Sequence, residues 1–171
     1  DSTGDWSSDV CSSDLRKGAS VEAKNSDQVR AIDVVTIDGR TALHHAAKEG
    51  WLDAVETLLK HKAVIDAMDK NLWAPVSLAA SSGHDAVLKI LLRAKASVNL
   101  GTNDGTTPLH LAAANGHYEC TQLLVEKNAR VEEKDHSGRT PLWRAVVGNH
   151  ESVTRLLLQN KADRSEERRV G

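Results

Sequence analysis
The 171-residue chain sets 22 lysines and arginines against 24 aspartates and glutamates, a net charge of -2, with 40% hydrophobic residues. That is enough chain for one domain, without the basic excess that marks a nucleic-acid or anionic-membrane surface. No apolar run approaches the ~20 residues of a bilayer helix, so neither nucleic acid nor membrane insertion is expected of this segment.

In chain order, residues 1–15 show no helical periodicity, and Asp14 falls where later units place a core leucine. Residues 16–37 read as the end of a partial unit, Gly18-Ala-Ser-Val-Glu-Ala23, followed by an insertion at Ser26 to Thr36. Extra residues of this kind collect at projecting turns, often on a binding side, and a tolerated surface loop fits equally well.

From Asp38 the chain repeats itself at an offset of 33: units at 38–70, 71–103, 104–136 and a shorter one at 137–163. Each carries an anchor: Thr41-Ala-Leu-His44, Ala74-Pro-Val-Ser77, Thr107-Pro-Leu-His110 and Thr140-Pro-Leu-Trp143. Threonine is a good N-cap and proline suits the first helical turn, where its missing N–H has no partner to lose. A short alanine-lined helix therefore starts at each anchor and stops at Gly50, Gly83, Gly116 or Asn149, residue types that accept the left-handed conformation. A second helix follows Trp51, His84, His117 or His150. Its apolar residues recur at helical spacing (Val55, Leu58; Val87, Leu88, Leu91; Leu124; Val153, Leu157), while Lys60, Arg93, Glu126 and Gln159 mark its wet face. After it, Ala63, Ala96, Ala129 and Ala162 precede an extended stretch with an apolar residue at one fixed place: Val21, Ile65, Val98 and Val131. A fixed period of this length means a solenoid whose units bury their apolar faces by stacking.

The unit Asp104-Gly-Thr-Thr-Pro-Leu-His-Leu-Ala-Ala-Ala-Asn-Gly-His117, with Leu123-Leu-Val125 behind it, resembles an ankyrin repeat, and the likeness recurs in phase over about residues 16–163. It implies an all-α repeat solenoid, an ankyrin-type helix-turn-helix stack with β-turn fingers at one edge and a concave binding surface. Departures are informative. Where the family has glycine after the second helix, this chain has Lys62, Lys95, Asn128 and Lys161, and a left-handed lysine costs roughly 1–2 kcal/mol. The second unit is the weakest: Leu72 replaces a turn glycine, and Ala74 and Ser77 replace the anchor threonine and histidine.

At the end, Arg164 replaces the apolar residue of the sibling units, and residues 164–171 have no counterpart in any unit, so the array reads as a window on a longer solenoid. Both ends resemble translated sequencing adapter. Residues 5–15 can be encoded so as to end in GCTCTTCCGATCT, the reverse complement of AGATCGGAAGAGC, which can encode the chain from Arg164 onward. Residues 1–15 and 164–171 are thus expected to be non-native. Without them 19 basic and 18 acidic residues remain, near neutrality. Cys11 lies in the leader, which leaves Cys120 on a core-facing position. A core without disulfides favours a reducing, intracellular and cytoplasmic setting.

Catalysis is set aside on the same periodicity. His44 and His110 share one repeat position and His84, His117 and His150 another, spread along the array rather than gathered like a metal cluster. No serine or cysteine has a base and an acid that the repeat would bring to it, and no phosphate loop occurs. The expectation is a non-enzyme without cofactor or metal: a scaffold or adaptor whose partner is another protein. The alternative is an ankyrin array within a larger multidomain enzyme, channel or signalling protein. The resemblance places protein-binding residues at finger tips and on the exposed face of the first helices: Arg40, Lys48, Glu49, Lys70, Asn71, Trp73, Ser81, Ser82, Asn103, Asp104, Thr106, Asn115, His136 and Arg139. By the same rule Asp38, Ala114, Ser137 and Val147 belong with them. Trp73 is the leading anchor candidate, with packing over the turn at Leu72 as the competing role. Trp143 and Arg144 are expected to pack on a following unit.

Overall fold
The computed structural model describes residues 34–170, with side chains as far as Asn160. The leader 1–15, and the partial unit with its insertion as far as residue 33, lie outside the described residues. Eight helices occur among the described residues, and no strand. They form four pairs: α1 (Ala42–Glu49) with α2 (Leu52–Lys60), α3 (Pro75–Ser82) with α4 (Asp85–Arg93), α5 (Pro108–Ala114) with α6 (Tyr118–Glu126), and α7 (Pro141–Val147) with α8 (Glu151–Val170).

Local chemistry sets the helix ends. Thr41, Thr107 and Thr140 hold extended backbone at the N-cap, and prolines open α3, α5 and α7. In α1 and α5 the cap is a reciprocal box closed by His44 and His110. Beyond the first helices the chain turns left-handed at Gly50, Gly83, Gly116 and Asn149, the last with φ 57°. Past the second helices, Lys62, Lys95 and Asn128 take φ of 61°, 68° and 62°, so two of the strained lysines expected from the sequence are present, whereas Lys161 is helical within α8.

Packing builds two layers. The first helices stack α1 on α3 on α5 on α7, the second helices stack α2 on α4 on α6 on α8, and each pair closes on itself. Ala46, Ala47, Ala79, Ala80, Ala112, Ala113 and Ala145 are buried between them, where a larger side chain would hold the helices apart. Leu43, Leu58, Leu88, Leu91, Leu109 and Leu124 are fully buried in the core, each contributing roughly 1.5–3 kcal/mol. Cys120 sits among them, and burial, with Asp85 and Glu119 nearby, pushes its thiol up to about 12.

One expectation fails. An extended stretch should follow Ala162, yet α8 continues through Lys161 to Val170. In the inner units the chain leaves the helix at a left-handed residue, buries Ala63, Ala96 or Ala129, and is then tied to the following unit, as where Ser97 donates from N and Oγ to the Asp66 carboxylate. The last unit carries Arg164 in place of the apolar residue, followed by glutamates and arginines that favour helix, so the helix is not drawn out of its path.

The second unit lacks the groups that its sequence lacks. Ala74 gives α3 no side-chain cap, the buried Ser77 hydroxyl has no hydrogen-bond partner, and the exposed Leu72 is held at φ 58°. Leu72→Gly is expected to raise stability by about 1 kcal/mol in a denaturant titration, because glycine carries no Cβ penalty there. Ala74→Thr with Ser77→His restores the capping box and is expected to raise the melting temperature; an unchanged or lower value rejects the assignment.

Candidate functional site
The fingers are built by carboxylates that the period alone did not single out. Asp69 and Asp135, one repeat position apart by two units, are both buried. Asp69 Oδ1 accepts from Asn71 N and Trp73 N, both at 2.9 Å, and Oδ2 accepts from Arg40 Nε at 3.0 Å. Asp135 does the same with Ser137 N and Arg139 N, while its Oδ2 receives Arg139 Nε at 2.9 Å and an Arg144 terminal nitrogen at 2.6 Å. Burial alone would raise both carboxyls. The N–H donors and arginines outweigh it and hold both below the usual range, Asp135 far below. In the third finger Thr102 takes this place, its hydroxyl donating to Asp104 Oδ1 at 2.5 Å, which also lowers the Asp104 carboxyl.

Neighbouring fingers are joined tip to tip. Lys70 N donates to Asp38 O at 2.9 Å, Asn103 N to Asn71 O at 3.1 Å, and His136 N to Asp104 O at 2.9 Å. Four tips thus form one backbone-linked edge with fixed spacing.

Histidines tie the units beneath that edge. Thr41 N–H donates to His44 Nδ1 at 3.0 Å, which fixes the proton of the neutral ring on Nε2, and that N–H donates to the Trp73 carbonyl of the next finger at 2.9 Å. His110 repeats the arrangement toward the Arg139 carbonyl at 2.9 Å. Burial lowers both pKa values, the carbonyl bonds only partly opposing it. A second rank, His84, His117 and His150, places Nε2 at 2.9–3.0 Å from the carbonyls of Lys48, Ser81 and Ala114 in the preceding unit. That link requires glycine at the preceding helix end: a Cβ on Gly83, already at φ 77°, would lie 2.6 Å from the His117 ring.

The sequence-derived candidates divide accordingly. Lys48, Glu49, Lys70, Asn71, Ser82, Asn103, Asp104, Asn115 and His136 are exposed, as are Asp38, Ser137 and Val147, and Ser81 is partly so, its carbonyl taken by Asn115 and His117. Arg40 and Arg139 are partly covered and committed to Asp69 and Asp135. Thr106 is corrected: it is 2% exposed, and its hydroxyl accepts from Arg144. Trp73 is partly buried, and its main-chain N–H and carbonyl are both hydrogen-bonded. Arg144 reaches back to Asp135 and Thr106 instead of forward to a following unit. Sequence reasoning missed Asp69 and Asp135, whose signal is an acid two residues before each tip turn, and Ile37, 89% exposed at the first tip. Among the described residues no group of three or more histidines, cysteines or acids is placed to hold a metal ion, and no helix is long and apolar enough to cross a membrane.

Comparison with known proteins matches the chain, over residues 15–102 and 76–167, to a family described as ankyrin repeats, three copies. Over 50 residues it is 48% identical to the potassium channel AKT1 of Oryza sativa subsp. indica, and equally to that of subsp. japonica. The match covers 29% of this chain and 5% of each channel.

The histidine links carry a pH signature. The unfolded rings titrate near about 6.5, and the folded values of His44 and His110 lie lower. The unfolded chain therefore binds protons that the folded chain refuses, and stability, complete above that pH, falls as pH drops below it. His44→Gln with His110→Gln is expected to lower stability at pH 7.5 and to flatten its decline between pH 7 and 5, measured by urea titration at each pH.

Proposed function
Since the chain belongs to the ankyrin-repeat family, we propose that it is a non-catalytic protein-binding module, a scaffold or adaptor that recognises another protein along the finger edge and the adjoining first-helix face. The observation that carries this reading is the tip-to-tip ladder from Asp38 to His136. A rigid row of exposed, chemically varied side chains costs little ordering on binding, and Lys70, Asn71, Asn103, Asp104 and His136 stand on it. Lys48, Glu49, Ser82 and Asn115 extend the surface onto α1, α3 and α5. The near-neutral charge and the free, buried Cys120 fit a protein partner, rather than nucleic acid or a membrane, in a reducing cytoplasmic setting.

A second reading is favoured by the relatives. The matched stretch is a small part of each potassium channel, so an array of this kind can serve a larger multidomain protein whose activity resides elsewhere. In that reading the same edge docks a partner or another domain.

Asn71→Ala, Asn103→Ala and His136→Ala combined should leave the melting temperature within about 2 °C, as exposed substitutions do, and should reduce capture of the cognate protein, identified by crosslinking from the source cells, at least tenfold. Undiminished capture by the triple variant removes the finger edge from consideration. Trp73→Ala adds a distinction: loss of stability assigns it to packing, and loss of capture at unchanged stability makes it an anchor.

A further inference from the structure
Two lysines stand where the backbone penalises any side chain. Lys62 and Lys95 turn left-handed, at φ 61° and 68°, where glycine would carry no Cβ penalty. A strained residue that persists points to a use for its side chain. Both belong to a row of exposed cations at the C-terminal ends of the second helices: Lys60 and Lys62 at α2, Arg93 and Lys95 at α4, Lys127 and Arg130 at α6. Over residues 60–62, 93–95 and 126–130 the sequence has one acid, Glu126. Glu56, Asp66 and Glu133 lie beside the row, and each is bonded, to Lys60, Ser97 and Arg130. Arg93, Lys95 and Lys127 enter no ion pair among the described residues. The loops that carry the row are tied to one another, Ser97 N donating to Asp66 Oδ1 and Arg130 N to Asn99 Oδ1, both at 3.0 Å.

The acids of these helices are collected at the other end. Asp53, Asp85 and Glu119 stand exposed in the first turns of α2, α4 and α6. At 1.5 Å of rise per residue they lie on the order of 11 Å from the row, beyond the ~8 Å over which exposed charges act at physiological salt, so they leave it cationic. Complementing the helix dipole accounts for Lys60 and Arg93. It does not account for a lysine where glycine suits the backbone better.

We propose that this row is a second interaction surface, separate from the finger tips, and that it takes an extended acidic segment of a partner protein. Stacked helices lie about 8–10 Å apart, while three residues of polyproline II helix advance about 9 Å and return to the same side. An acid at every third residue therefore meets one loop after another. Each contact is an exposed ion pair, weak alone, so the surface works through several at once. A protein segment suits it better than nucleic acid, because a chain with 3% aromatic residues and a net charge of -2 offers few rings for bases to stack on and no general attraction for phosphates.

The probe is a fluorescein-labelled peptide of four Glu-Pro-Pro repeats, titrated with the full chain and read by anisotropy, with Gln-Pro-Pro repeats as the neutral control. Lys62→Gly with Lys95→Gly is expected to weaken binding about fivefold while raising the melting temperature, since the change removes two charges and two strained side chains together. Lys62→Arg with Lys95→Arg should hold the affinity within about twofold, and raising salt from about 0.05 to 0.3 M should weaken binding about tenfold. The chain with Asn71→Ala, Asn103→Ala and His136→Ala should bind the peptide as the original does, which separates a failure of the finger edge from a failure of this row. The proposal is overturned if the acidic peptide does not bind, if the neutral peptide binds as well, or if the glycine pair gains stability and binds undiminished. It is also overturned if single-stranded oligothymidylate of matched length binds at least about tenfold more tightly than the peptide, since the row is then a nucleic-acid site.

Discussion
Each helix pair has two apolar faces and can cover neither alone, and the molecule is organised by the need to have both covered by neighbours. Stacking removes the apolar surface from water, but a non-directional attraction leaves the register between units loose. Directional bonds fix it. His44 and His110 reach forward to a carbonyl of the next finger, and His84, His117 and His150 reach back to a carbonyl of the preceding helix. A slip between units would leave buried ring nitrogens and carbonyls unpaired, at about 1–3 kcal/mol for each group.

His44 and His110 have both ring nitrogens committed to these joints, so neither has one left for chemistry. A buried neutral ring with one nitrogen accepting from a backbone N–H and the other donating to a carbonyl has both positions filled. The carboxylates of Asp69 and Asp135 are committed in the same way, each saturated by main-chain N–H groups and arginine. What remains exposed is the outer row of side chains at the tips and on the first helices. The exposed surface and the buried wiring are thus separated by depth.

Much of this was legible in the sequence, for identifiable reasons. A period of 33 with threonine and proline at one phase and glycine at another determines helix starts and stops by capping chemistry alone, and these stand where the residues said. The left-handed Lys62 and Lys95 were legible because the position is defined by its siblings. The destinations of long side chains were not. Arg144 aligns with buried leucines, yet it is drawn back by Asp135, a partner nine residues earlier whose burial depends on the fold of the finger. Thr106 was placed at the surface by analogy and lies under that same arginine. The length of α8 was missed because the signal that ends the inner second helices includes the following unit, which is absent from a single unit's sequence.

The second unit shows how such an array tolerates a poor member. Leu72 sits left-handed, α3 lacks its cap, and Ser77 leaves a buried hydroxyl unmatched. In a stack where each unit contacts only its neighbours, intrinsic weakness can be offset by the joints on either side. Both joints here are strong: the Trp73 carbonyl receives His44 from the first unit, Arg40 reaches across to Asp69, and His117 returns from the third unit to the Ser81 carbonyl. Asp69, accepting from Asn71 and Trp73, holds the turn around the strained leucine from both sides. The finger keeps its shape because neighbours impose it, so the geometry of the candidate binding edge at Lys70 and Asn71 depends on the first and third units as much as on the second.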